Sequence, residues 1–223
     1  MKKNWIKIAS IYIGTVIGAG FASGREIVEF FAIYGRKGIW GIYISGFLFS
    51  IIASLLLIKI YDKQIENFSQ LVEKLFNKRI GLIVDTLVLI SLYTGFTIMV
   101  AGSGAIFKEQ LGKPFNIGVM TMLISCFLVF LFDLKGLSFI NTILVPILIV
   151  GILFTSYYIG SQDGYNFANI EGVNLSLKGN FLTSAIIYFG SNCLIIIVVF
   201  SSLLPLINSK TTAIAGGMIG GGV

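Results

Sequence analysis

The 223 residues are 56% hydrophobic and only 12% charged, with a mean hydropathy of +0.94 and a formal net charge of +6. There is no histidine, which removes His-ligated metal sites, Ser-His triads and His proton relays at once. The apolar residues come in long runs, so the chain reads as an all-α polytopic membrane protein. The basic residues sit in short loops beside those runs, where they report topology and not a nucleic-acid partner.

In chain order, Lys2, Lys3 and Lys7 precede a first apolar span at about 5–34. Its start has the basic-then-apolar look of a secretory leader, but the apolar run resumes after Arg25 and five further spans follow, which favours an uncleaved helix. The second span covers about 38–61. Behind it Ile65, Phe68, Val72 and Leu75 recur at helical spacing among polar residues, predicting an interfacial amphipathic helix at about 64–78. Further spans are predicted at about 80–107, 115–132 and 137–159, the last expected to kink at Pro146. A polar connection to Leu182 leads to a sixth span at about 183–207 and a glycine-rich apolar segment at 211–223. Cys126 and Cys193 lie within apolar runs and read as small hydrophobes.

Alternate loops are unequal in charge. Lys2, Lys3, Lys7, Lys59, Lys63, Lys74, Lys78, Arg79, Lys135 and Lys210 fall on the N-terminal side, against Arg36, Lys37, Lys108, Lys113 and Lys178 opposite. The expectation is a cytoplasmic N-terminus.

Within the first span, Gly14-Thr15-Val16-Ile17-Gly18-Ala19-Gly20-Phe21-Ala22-Ser23-Gly24 is poor helix material, since each interior Gly costs roughly 0.5–1 kcal/mol relative to Ala. Unwound backbone at membrane depth survives only where protein or a water-lined cavity satisfies it. Two readings stand side by side: small-xxx-small packing, through Gly14-xxx-Gly18 and Gly20-xxx-Gly24, or backbone contact with a solute. Ala9-Ser10-Ile11-Tyr12-Ile13-Gly14-Thr15 is echoed in the sixth span by Ala185-Ile186-Ile187-Tyr188-Phe189-Gly190-Ser191. The two spans enter from opposite faces, as an inverted repeat of five helices requires. Gly190-Ser191-Asn192 is accordingly expected to be a second helix break, with Ser91, Tyr93, Thr94 and Thr97 of the third span as further wall candidates. Arg25 and Glu29 are spaced to pair on one helix face, and Glu26 stands beside them.

The run from Gly14 to Glu26 resembles the opening helix of the bacterial YkvI-type membrane proteins, which are similar in turn to the amino acid–polyamine–cation transporter superfamily. The resemblance implies a LeuT-like five-plus-five inverted repeat with broken first and sixth helices. About six and a half helices would be present, residues 1–160 forming the first repeat and 161–223 a loop and the start of a C-terminally truncated second. It implies a cation-coupled secondary transporter of a small amino-acid-like solute, held by backbone around Gly18, Ala19 and Gly20 and by Gly190, Ser191 and Asn192, with Tyr93 opposite. Thr15, Ser23, Glu26 and Glu29 are the candidate groups for a coupling Na+ or H+, and no other cofactor or metal is expected. The expected partners are the solute and the bilayer, which the resemblance implies to be a bacterial cytoplasmic (inner) membrane. The alternative is a ligand-sensing membrane subunit, like a germinant receptor, that uses a transporter fold without transport. An enzyme is not expected: there is no HExxH, and Asp85 is the only carboxylate deep in spans two to six.

Overall fold

A computed structural model describes residues 4–17, 24–76, 78–163 and 179–223. The described residues form helices and connecting turns, with no strand among them. In chain order they are α1 (Asn4–Val16), α2 (Arg25–Phe30), a 3-10 turn (Ala32–Tyr34), α3 (Arg36–Lys63), α4 (Phe68–Leu75), α5 (Lys78–Glu109), α6 (Phe115–Phe130), α7 (Asp133–Asp163), α8 (Phe181–Ser201), a second 3-10 turn (Leu204–Leu206) and α9 (Lys210–Gly222). Four of them, α3, α5, α7 and α8, are long and apolar enough to cross a bilayer, and α6 is a shorter apolar helix. The protein is a multi-pass membrane protein.

The predicted span at 5–34 is divided, because α1 ends at Val16 and α2 begins at Arg25 behind Gly24, whose φ of +77° suits glycine. α3 begins after Gly35, at φ +55° and ψ −130°, a backbone region open in practice to glycine alone. The amphipathic helix is shorter than expected, since Ile65 lies ahead of it and Asn67 caps its start. The Asn67 side chain accepts from the Gln70 backbone N–H at 2.9 Å while Gln70 accepts from the Glu66 N–H, a near relative of the capping box. Ile65, Leu71 and Val72 are buried beneath it. α7 runs unbroken through Pro146.

The core is made by α1, α3, α8 and α9. Tyr12, Phe200, Ile8, Ile11, Leu57 and Ile60 are fully buried, and the rings of Tyr12 and Phe200 meet edge to face at 4.8 Å. α1 and α8 run antiparallel: Asn4 at the start of α1 donates to the Leu206 carbonyl beyond the end of α8, at 3.1 Å. α3 and α9 are antiparallel too, because Asp62 pairs with Lys210 at 2.8 Å while Ser50, lying earlier in α3, reaches Met218, later in α9. Lipid is as apolar as leucine, so these helices are held by close packing and interhelical hydrogen bonds. α9 presents glycines to both neighbours, Gly216 and Gly220 against Ile8 and Tyr12 of α1, and Gly217 and Gly221 against Ser54 and Ser50 of α3.

The remaining helices form a sequential layer. α7 packs on α1, α6 on α7, α5 on α6, and α4 bridges α5 to α8. The small-residue run of the third span serves the α5–α6 contact, where Gly104 lies under the Phe115 ring and Ser103 donates to the Gly118 carbonyl at 3.1 Å.

Candidate functional site

The cavity nearest the repeated Tyr-x-Gly segments lies where α1 ends, among α1, α2, α3, α8 and the last turn of α9. It measures about 200 Å³ and is lined by Tyr12, Ile13, Val16, Ile17, Ile27, Phe31, Ile42, Ser45, Gly46, Phe49, Tyr188, Gly220, Gly221 and Val223. That is small beside the ~300–1,000 Å³ of drug-sized ligand pockets, so it suits a solute of a few heavy atoms. Its walls are apolar and aromatic.

The two tyrosines of the sequence repeat converge on one residue here. The Tyr12 hydroxyl donates to the Phe49 carbonyl at 3.0 Å, and the Phe49 and Tyr188 rings meet edge to face at 5.8 Å. Tyr188 also packs on Phe31 at 5.1 Å and on Phe30 at 5.3 Å, which ties α8 to α2 and to the turn behind it. Ser184, a turn earlier, donates to the Phe30 carbonyl at 2.8 Å and fastens the same joint. Replacing Tyr12 by Phe removes one interhelical hydrogen bond and leaves the ring packing. The expected cost is about 1 kcal/mol, read as a lowered thermal midpoint of the detergent-solubilised protein; an unchanged midpoint would show that the bond does not hold α1 on α3.

The sequence-predicted site residues are distributed unevenly around this cavity. Gly18, Ala19, Gly20 and Ser23 lie outside the described residues. Thr15 donates back to the Ile11 carbonyl at 2.7 Å, within its own helix. Glu29 is exposed and faces Arg25 at 3.6 Å, the solvated pair that the spacing predicts. Glu26 differs: its Oε2 is shielded from solvent and makes no hydrogen bond among the described residues. Tyr93 is 68% exposed on α5, a helix that packs on α4 and α6, and it is not brought to the cavity.

The expected break at Gly190-Ser191-Asn192 is not there, since α8 is continuous from Phe181 to Ser201. The reason is local. The Ser191 hydroxyl and the Asn192 amide both donate to the Tyr188 carbonyl, at 2.9 and 3.0 Å, so the polar groups read as freed for a solute serve their own helix. Gly190 faces open space. The repeat nonetheless persists in environment. Ala9 and Ala185 are both buried, as are Tyr12 and Tyr188, and Thr15 and Ser191 both bond back to their own helices.

The lining residues that the sequence reading passed over are Tyr12, Phe31, Phe49 and Tyr188. Two of them stood in the repeat, but the reading followed its glycines and hydroxyls. Phe31 and Phe49 carry no signal in a chain with 19 phenylalanines.

No family model matches the chain, and no solved structure matches it. It is similar to two Bacillus subtilis (strain 168) proteins, an uncharacterized membrane protein, YkvI, at 31% identity over 218 residues, and an uncharacterized protein, YyaD, at 30% over 216. The matches take in 96% and 95% of this chain and 61% of each relative, so the chain spans about three fifths of the length of either. Neither name carries an activity.

Proposed function

We propose that the protein is a secondary transporter of a small amino-acid-like solute, cation-coupled, with the solute held in the aromatic cavity between the end of α1 and the Tyr188 face of α8. The observation that carries this reading is the symmetry of the core. A five-plus-five inverted repeat maps the first span onto the sixth and the second onto the seventh, here α1 onto α8 and α3 onto α9. Under that exchange the α1–α9 contact becomes the α8–α3 contact, while α1–α8 and α3–α9 map onto themselves; all four contacts are present. The two self-mapped pairs are also antiparallel, as inversion demands. A LeuT-like architecture accounts for this pattern, and the ending of α1 beside an apolar cavity accords with a solute site at the repeat interface.

On this reading α1 and α8 close on the solute and move against the α5–α7 layer. Na+ or H+ supplies the driving force. The excess of Lys and Arg in the N-terminal-side loops supports a cytoplasmic N-terminus, and the similarity to Bacillus membrane proteins supports a bacterial inner-membrane location.

The test is uptake of labelled amino acids into proteoliposomes holding the protein, with and without an inward sodium or proton gradient. Accumulation of at least one amino acid that needs the gradient is expected. Absence of gradient-dependent uptake across a broad panel, with binding retained, would overturn transport in favour of a ligand-sensing subunit.

A further inference from the structure

We infer that the start of α7 holds an anionic phospholipid, its headgroup between Lys7 and Lys135 and one acyl chain in the groove between α6 and α7. The site lies at the opposite end of α1 from the aromatic cavity. It needs neither a solute nor transport.

Two hollows meet at the turn that joins α6 to α7. The first, of about 960 Å³, lies where α1 and α7 begin and the chain leaves α8, and Lys7, Asp133, Lys135, Ser138, Phe139 and Leu206 are among its walls. The second, of about 460 Å³, runs between α6 and α7 past Cys126, Val129, Leu137, Ile140 and Leu144. Asp133 and Leu134 belong to both, so a basic end passes into an apolar one. A molecule that fills both has a charged head and an apolar tail.

Charge fixes the sign of the head. Lys7 and Lys135 are exposed, and neither forms an ion pair among the described residues. Asp133 opposes them, but it stands in the first turn of α7, where the partial positive charge of a helix N-terminus offsets a carboxylate. Basic pockets between membrane helices suit phosphate headgroups. Depth fixes the tail. At ~1.5 Å per residue, α7 from Asp133 to Leu144 covers about 16 Å, half of a ~30 Å hydrocarbon core and so the reach of one leaflet. Phe130, Leu131, Phe132 and Phe139 are exposed around the mouth, where the hydrocarbon begins. Both lysines belong to the N-terminal-side loops, which puts the headgroup at that face. A soluble phosphate would satisfy the lysines and leave the groove empty.

The experiment titrates the purified protein, in mild detergent, with dioleoyl phosphatidylglycerol or dioleoyl phosphatidylcholine and counts bound lipid by native mass spectrometry. The anionic lipid is expected to bind at least fivefold more tightly, since one lysine near a membrane surface is worth about fivefold. Lys7→Gln combined with Lys135→Gln should bring that preference below twofold, while Lys108→Gln combined with Lys113→Gln, on the opposite side, should leave it unchanged. Cys126→Trp, which fills the groove, should weaken both lipids threefold or more and keep the preference; Leu144→Trp replaces it if its elution profile is abnormal. Excess glycerol 3-phosphate should not displace the bound lipid. Equal binding of the two lipids, or a preference that survives loss of Lys7 and Lys135 or falls equally with Lys108 and Lys113, would overturn the assignment. Binding indifferent to the tryptophan would overturn it too, by taking the acyl chain out of the groove. Displacement by glycerol 3-phosphate would overturn it in favour of a soluble phosphate.

Discussion

Gly221→Ala and Gly217→Ala are each expected to destabilise the protein by roughly 1–3 kcal/mol, and the corresponding leucine variants to prevent recovery of folded protein. A Cβ on Gly221 would stand 2.5 Å from the Ser50 backbone nitrogen and 2.7 Å from the Phe49 carbonyl carbon. One on Gly217 would stand 2.7 Å from the Ser54 nitrogen and Cα. These are backbone atoms of α3, which cannot swing aside as a long side chain could, so α9 would have to move away. Moving it lengthens the contacts from Ser50 to the Met218 carbonyl and from Ser54 to the Ile214 carbonyl, already 3.3 and 3.4 Å. With no hydrophobic force between helices in lipid, little else would hold the pair. The comparison is with Gly95, Gly102, Gly151 and Gly190, where a Cβ meets nothing within 4 Å. Alanine there should be neutral or stabilising by up to about 1 kcal/mol, because glycine is a poor helix former. Thermal melts in detergent separate the two groups. Equal behaviour of Gly221→Ala and Gly102→Ala would sink the packing account of α9.

The contrast between those glycines marks the limit of what the sequence conveys. Apolar runs locate the spans, because a run of about 20 apolar residues has few alternatives to crossing the bilayer. Small residues announce that something comes close without saying what. Gly102 and Gly104 look alike in the sequence, yet one faces open space and the other lies under Phe115. Hydroxyl and amide side chains mislead in a related way. Thr94, Thr97, Thr15, Ser191 and Asn192 all looked available to a solute, and each donates to a carbonyl three or four residues back in its own helix. That local option is open to Ser, Thr and Asn in any helix, so a polar residue in a span is weak evidence for a site.

The two segments of the repeat do meet in the structure, where Tyr12 and Tyr188 both contact Phe49. Its tyrosines, which cannot bond back in this way, are the members that reach the cavity. Glu26 lay within the recognised run as well, but its isolation from Arg25 could not be read from spacing, since residues 25, 26 and 29 offer several pairings on a helix. Only the position of Oε2 separates the shielded carboxylate from the solvated one.

Tyr188→Ala should lower stability by about 3–5 kcal/mol, in the range of large aromatic deletions from a core. The ring touches Phe30, Phe31 and Phe49, so its removal unpacks α8 from α2 and α3 together, and edge-to-face aromatic pairs contribute about 0.5–1.5 kcal/mol each beyond their buried area. It also takes away one wall of the cavity, so solute binding there should fall with stability. Tyr188→Phe separates the two effects. It keeps the ring contacts, so its loss of stability should not exceed about 1 kcal/mol, the worth of a single hydrogen bond. If solute recognition comes from the ring, affinity for an amino acid taken up in the proteoliposome assay should stay within threefold; a tenfold loss would instead assign the hydroxyl a direct contact with the solute. Tyr93→Ala is the reference for a tyrosine on an exposed helix face, and it should cost less than about 1 kcal/mol. Should Tyr188→Ala prove no worse than Tyr93→Ala in the same melt, the aromatic joint between α2, α3 and α8 does not hold the core, and the cavity built on it loses its wall.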